Sequence, residues 1–124
     1  MSIALLAIGL AACSDNNNAV AIPLQTIPGD YVLQTLNGSP LPFTFSDGVT
    51  LNSDVLSLAD GGTFSETMKL ADGRTFVDTG VWTSSGNSLT ITDETAGFTY
   101  SATLSGTVLN AVFPNGLTEV FHKK

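Results

Sequence analysis

The stretch GTFSETMKLADGRTFVDTGVWTSSGNSLTIT, residues 62–92, decides the fold. Apolar and polar residues alternate in it, and Gly-containing turns interrupt it at Asp72-Gly73 and Ser85-Gly86. Phe64, Met68 and Leu70 share one face, opposed by Thr63, Ser65, Thr67 and Lys69. Leu89 and Ile91 alternate with Thr90 and Thr92. A period of two is the mark of a strand with one buried face. No window of this stretch carries a helical period.

The same grammar extends in both directions. Asn37-Gly38, Asp47-Gly48, Asp60-Gly61, Ala96-Gly97, Ser105-Gly106 and Asn115-Gly116 punctuate further apolar segments. Strands are expected near 30–36, 41–45, 49–59, 63–70, 74–84, 87–92, 97–104, 107–113 and 117–122. Closely spaced turns of this kind describe a meander of consecutive antiparallel hairpins. Eight or nine such strands with one apolar face either close into a barrel or split into two stacked sheets. Up-and-down connectivity favours closure, which removes the sheet edges. The fold class is therefore all-β, an antiparallel meander of 8–9 strands closing into a small barrel.

Turn positions set the expected registers. A two-residue turn at Ser105-Gly106 would pair Ala102 with Leu109, Tyr100 with Ala111 and Phe98 with Phe113. One at Ser85-Gly86 would set Trp82 against Leu89. A three-residue loop at Pro114-Asn115-Gly116 pairs Phe113 with Leu117 and Leu109 with Phe121. The expected interior holds Tyr31, Leu33, Phe43, Phe45, Leu56, Leu58, Phe64, Met68, Trp82, Leu89, Ile91, Phe98, Tyr100, Leu109, Phe113, Leu117 and Phe121.

One hairpin contains a conflict. If Ala71-Asp72-Gly73 is a three-residue loop, Glu66 falls directly opposite Asp78, both on the apolar face. Facing like charges are destabilising. A bulge near Gly80 would resolve this and is the preferred reading, with Val77 turned inward, Asp78 outward and Trp82 still inside. The other reading is an inward carboxylate pair sharing a proton, open to a cationic or hydroxylated ligand.

Composition excludes several functions. Four basic residues face eleven acidic ones, for a net charge of −7 across 124 residues. Such a surface repels phosphate backbones, which argues against nucleic-acid binding. The only histidine is His122 and the only cysteine Cys13. One His with no Cys in the body does not make a common zinc site, and no Asp/Asn run has the spacing of a calcium loop. No catalytic constellation is apparent. The expectation is a non-enzyme without cofactor or metal, and monomeric.

Residues 1–13, MSIALLAIGLAAC, are apolar apart from Ser2 and too short to span a bilayer as a helix. Leu10-Ala11-Ala12-Cys13 resembles the lipobox of bacterial lipoproteins. That resemblance implies removal of a signal peptide, 1–12, and a lipid anchor on Cys13. Ser14 after the Cys implies the outer membrane, with the protein facing the periplasm. Residues 13–28 then form the lipidated Cys and a flexible tether, rich in Asn and punctuated by Pro.

The body, 29–124, resembles the lipocalin-like small barrels of bacterial envelope lipoproteins. Gly29-Asp30-Tyr31, Leu36-Asn37-Gly38-Ser39-Pro40-Leu41-Pro42, Gly80-Val81-Trp82-Thr83 and Ser88-Leu89-Thr90-Ile91 carry that likeness. It implies a binding module for a small apolar or amphipathic ligand at one mouth of the barrel. Tyr31, Glu66, Trp82 and Tyr100 are the candidate ligand contacts, although core filling is the simpler reading of the three aromatics. The alternative function is a filled barrel that docks another envelope protein, as an inhibitor or stress adaptor does. A cavity beside Trp82 would favour the first; a packed interior would favour the second.

Overall fold

The computed structural model describes residues 26–124. The proposed signal segment 1–12, Cys13 and most of the tether lie outside the described residues. Among the described residues ten strands form one antiparallel sheet: β1 (Gly29–Leu36), β2 (Ser39–Pro40), β3 (Phe43–Thr44), β4 (Thr50–Leu58), β5 (Thr63–Leu70), β6 (Thr75–Ser85), β7 (Ser88–Asp93), β8 (Phe98–Ser105), β9 (Val108–Val112) and β10 (Thr118–Lys123). From β4 to β10 each strand pairs with the next; β10 pairs with β1, and β1 pairs back with β4. Eight strands thus close a barrel, with β2 and β3 as short appendages. Closure rather than stacking is the outcome, consistent with a lipocalin-like architecture.

The expected strand at 41–45 shrinks to the two residues of β3. The segment from Asn37 to Val49 bridges a split in the barrel. β1 and β4 pair only through Gly29–Val32 and Val55–Leu58. Beyond that they separate, β1 taking up β2 and β4 taking up β3. Leu41, Phe43 and Phe45 from the bridging segment pack against the core there.

Two hairpin registers differ from expectation by two residues. Ser85 pairs with Ser88 and Trp82 with Ile91, so Gly86-Asn87 is the turn. Ser105 pairs with Val108, which makes Gly106-Thr107 the turn and sets Ala102 opposite Ala111. Both glycines have φ of 62° and precede a residue of ordinary φ. That is the hairpin turn with Gly in the first central position, not the second. A slip of two leaves every side chain on its own face, so the interior survives it. The Leu109–Phe121 and Phe113–Leu117 pairings hold, the second through Phe113 N–H donating to the Leu117 carbonyl at 2.9 Å.

Tyr31, Leu56, Ile91, Leu109 and Phe121 are fully buried, with Leu33, Leu58, Phe64, Leu89 and Tyr100 nearly so. Ile27, ahead of β1, belongs to the same core. Leu36 and Leu51 join it through bulges that shift the phase of their strands, at Gln34 in β1 and Asn52 in β4.

The two ends of the barrel differ. One carries the β4–β5, β6–β7 and β8–β9 turns together with Gly29 and the C-terminus. There Tyr31 donates its hydroxyl to the Ile27 carbonyl at 2.5 Å, Lys123 Nζ donates to the Thr26 carbonyl, and the Trp82 indole N–H donates to the Ala59 carbonyl at 3.0 Å. The other end carries the bridging segment and the β5–β6, β7–β8 and β9–β10 turns.

Trp82 is half-buried rather than fully inside. Trp82→Ala is therefore expected to cost about 2–3 kcal/mol in urea denaturation, less than a fully buried Trp. A loss below about 1 kcal/mol would remove the indole from the packing of that end.

Candidate functional site: an acidic cavity in the barrel

Glu66 pairs with Asp78 across β5 and β6, Phe64 pairs with Gly80, and no bulge interrupts that ladder. The preferred bulge at Gly80 is thus corrected. Val77 is exposed, at 53%, while Asp78 turns toward the interior. The facing carboxylate pair is the arrangement the chain adopts.

Gly80 has a different duty. A Cβ built on it would lie 1.9 Å from the Thr92 carbonyl oxygen and 2.7 Å from a Phe64 ring carbon. The glycine lets the end of β7 press onto β6. That approach brings Asp93, the partner of Gly80, into the interior beside Asp78.

Three further carboxylates join the pair. Asp54 follows the inward phase of Leu56 and Leu58, Asp93 that of Leu89 and Ile91, and Glu119 that of Phe121. Asp54 and Asp93 are 1% and 2% exposed, and Glu66 and Glu119 are both 6% exposed. All five border a cavity of about 180 Å³ that opens toward the bridging-segment end. Phe45, Met68, Leu70, Phe76, Phe98 and Phe113 form its apolar wall. Phe113 stacks on Tyr100 at 4.2 Å between ring centroids, and Phe98 lies 5.6 Å from Phe113.

Among the described residues no basic side chain lines this cavity. Among the described residues the ion pair present is the exposed Arg74–Asp72 contact at 2.7 Å, outside the barrel. Asp93 has its own partners, because its Oδ1 accepts from the Thr95 and Ala96 amides at 3.0 and 2.8 Å. Asp54 Oδ1, Glu119 Oε1 and the Tyr100 hydroxyl are buried and make no hydrogen bond with described residues. A buried polar atom left in that state is costly.

Desolvation is the main cause of the resulting pKa shifts. It raises the Asp54 carboxyl far above the carboxylate range, assisted by a hydrogen bond with Glu66 and by the surrounding acids. Glu66 is raised by burial and by Asp93, while its hydrogen bond with Asp54 pulls the other way. Glu119 is pushed up to about 8, by burial and then by Glu66. Asp78 rises to about 7, through burial and then Asp93. Burial also raises the Tyr100 hydroxyl, with added repulsion from Glu66, Glu119, Asp54 and Asp93. At neutral pH the cluster therefore retains protons.

Of the residues singled out from sequence, Glu66 lines the cavity and Tyr100 stacks on Phe113 of its wall. Tyr31 and Trp82 make their hydrogen bonds at the opposite end of the barrel, and neither borders this cavity. Asp54, Asp93 and Glu119 went unnoticed. Each interrupts an apolar alternation on the inward phase, the same signal that singled out Glu66. Comparison with protein-family models, curated proteins and solved structures finds no match.

Proposed function

We propose that this chain is a small binding barrel of the bacterial cell envelope, tethered through lipid on Cys13, that takes a small amphipathic ligand. One observation carries the reading: an apolar-walled cavity at one end of the barrel with carboxylates at its floor. Apolar walls with a few convergent polar groups are the usual form of a small-molecule site. The apolar part of the ligand would lie against Phe45, Phe98 and Phe113, with its polar head toward the acids. The tether joins the barrel at the opposite end, where Ile27 and Gly29 lie. An anchored molecule would then hold its cavity away from the membrane that carries it.

The alternative, docking of another envelope protein, draws support from Val77 and Val81, 53% and 40% exposed on the outer face of β6. The cavity argues against the filled barrel that reading assumed, and the ligand reading is preferred.

The test is fluorescence titration with N-phenyl-1-naphthylamine, a neutral amphiphile, in buffer containing EDTA. Saturable binding at one site is expected, and Met68→Trp, which fills the cavity from its wall, should abolish it. Absence of saturable binding, or binding indifferent to that substitution, would sink the proposal.

A further inference from the structure

Asp54, Glu66 and Glu119 come from three different strands, so no sequence spacing announces them together. Each offers one carboxylate oxygen, and the three oxygens lie within 4.8 Å of one another. A calcium ion bonds oxygens at about 2.4 Å, so ligands on opposite sides of it stand up to about twice that distance apart. An all-oxygen donor set suits hard cations and disfavours the softer transition metals.

An acidic cluster alone can be a solvated accident, but this one has a second feature. The Tyr100 hydroxyl is not acidic, is buried to 3% exposure and has no hydrogen-bond partner among described residues. It stands within electrostatic reach of Asp54, Glu66 and Glu119 together. Asp54 Oδ1 and Glu119 Oε1 are also without partners. Asp54 Oδ1 and Glu119 Oε1, buried and unpartnered, thus belong to residues that line one cavity, where no basic side chain is present among the described residues.

We infer that Asp54, Glu66 and Glu119 form a binding site for a calcium-sized divalent cation at the floor of the cavity, with Tyr100 stacked on the Phe113 wall of that cavity. The ion would displace the protons these carboxyls hold without it, the three carboxylates then supplying the charge, and the cavity leaves one side of the ion accessible. An ion there would reverse the character of the floor. A site that repels anions would accept an oxygen donor, such as a carboxylate or hydroxyl, on the head of an amphipathic ligand. The inference shares its cavity with the proposed ligand site but does not need that ligand. Calcium is titrated without amphiphile and the naphthylamine with EDTA, so either can fail alone.

The experiment uses the full chain after EDTA treatment and dialysis. Calcium chloride is titrated by calorimetry, and terbium is then added as a luminescent calcium substitute. One calcium per chain is expected, with a raised thermal midpoint. Asp54→Asn and Glu119→Gln should each weaken calcium affinity about tenfold or more. Bound terbium should be sensitised by Tyr100, and Tyr100→Phe should reduce that emission while calcium still displaces the ion. That last readout stands even if a carboxylate variant folds poorly. Absence of saturable calcium binding overturns the inference. So does binding of undiminished affinity in both carboxylate variants, which would place the ion on exposed turn acids such as Asp47 or Asp60. Terbium emission unaffected by Tyr100→Phe would likewise put the ion elsewhere.

Discussion

Gly80→Ala should destabilise the barrel by about 3 kcal/mol or more, an unusually large loss for the addition of one methyl. Gly80 is buried, and its φ is not in the left-handed region, so the cost is not conformational. It is one of space. The new Cβ would meet the Thr92 carbonyl oxygen at 1.9 Å and the Glu94 amide nitrogen at 3.0 Å, both backbone atoms that cannot rotate away. Relief requires β7 to move off β6, which would break the Gly80–Asp93 pairing and the Glu94 N–H bond to the Thr79 carbonyl at 2.9 Å. Equilibrium urea denaturation is the measurement. A loss below about 1 kcal/mol would show that the strands are not so closely apposed. The same substitution at Gly73, where a Cβ would meet nothing but φ is +93°, should cost less and only through backbone strain.

The second large effect is an inverted pH dependence of stability. The buried carboxyls of Asp54, Glu66 and Glu119 have folded pKa values above their unfolded ones, mainly through desolvation. A raised carboxyl keeps a proton in the folded state that the unfolded chain releases. The folded state therefore binds more protons between the two values, and stability falls as pH rises through that window. For Glu119 the window runs from its ordinary 4.5 to about 8. Each retained proton contributes a slope of about 1.4 kcal/mol per pH unit. Asp78 is half-buried and partly screened by water, so its share is smaller. In metal-free buffer the protein should be most stable near the lower edge of this window and lose several kcal/mol toward pH 8. Glu66→Gln should stabilise the protein on the order of 1–3 kcal/mol near neutrality, with the gain shrinking in acid. Flat stability across the window, or a loss on Glu66→Gln at neutral pH, would contradict the inward placement of these acids.

The architecture was legible because period-two patterning and Gly turns are local signals. Phe98, Tyr100, Ala102 and Leu104 declare their face without reference to any other strand. The two registers depart from expectation at Ser-Gly dipeptides, whose sequence suggests a turn with Gly second. The chain instead places Gly86 and Gly106 first, a choice that depends on turn twist rather than on residue identity. The site was half visible. Glu66 and Asp78 could be compared because one short loop joins their strands. Asp54 lies on β4, which pairs directly with β5, whereas relating Glu119 to them requires barrel closure, which no local pattern encodes. Gly80 suggests a bulge in the sequence, but the structure needs it for a close approach of Thr92 and Glu94, which nothing in the sequence around Gly80 reports. The phase change that sequence placed in β6 occurs instead at Asn52 in β4, where no glycine marks it.

Acids from five strands meet inside one barrel, and burial favours the protonated forms of Asp54, Glu66 and Glu119 there. Carboxyl carbon NMR of the uniformly labelled, EDTA-treated full chain tests it most directly, by following each side-chain carboxyl from acid to alkaline pH. Asp54 should remain neutral at pH 7 and Glu119 should titrate near 8. If Asp54, Glu66 and Glu119 all ionise between about pH 3.5 and 5, the acids are solvated and the buried cluster does not exist.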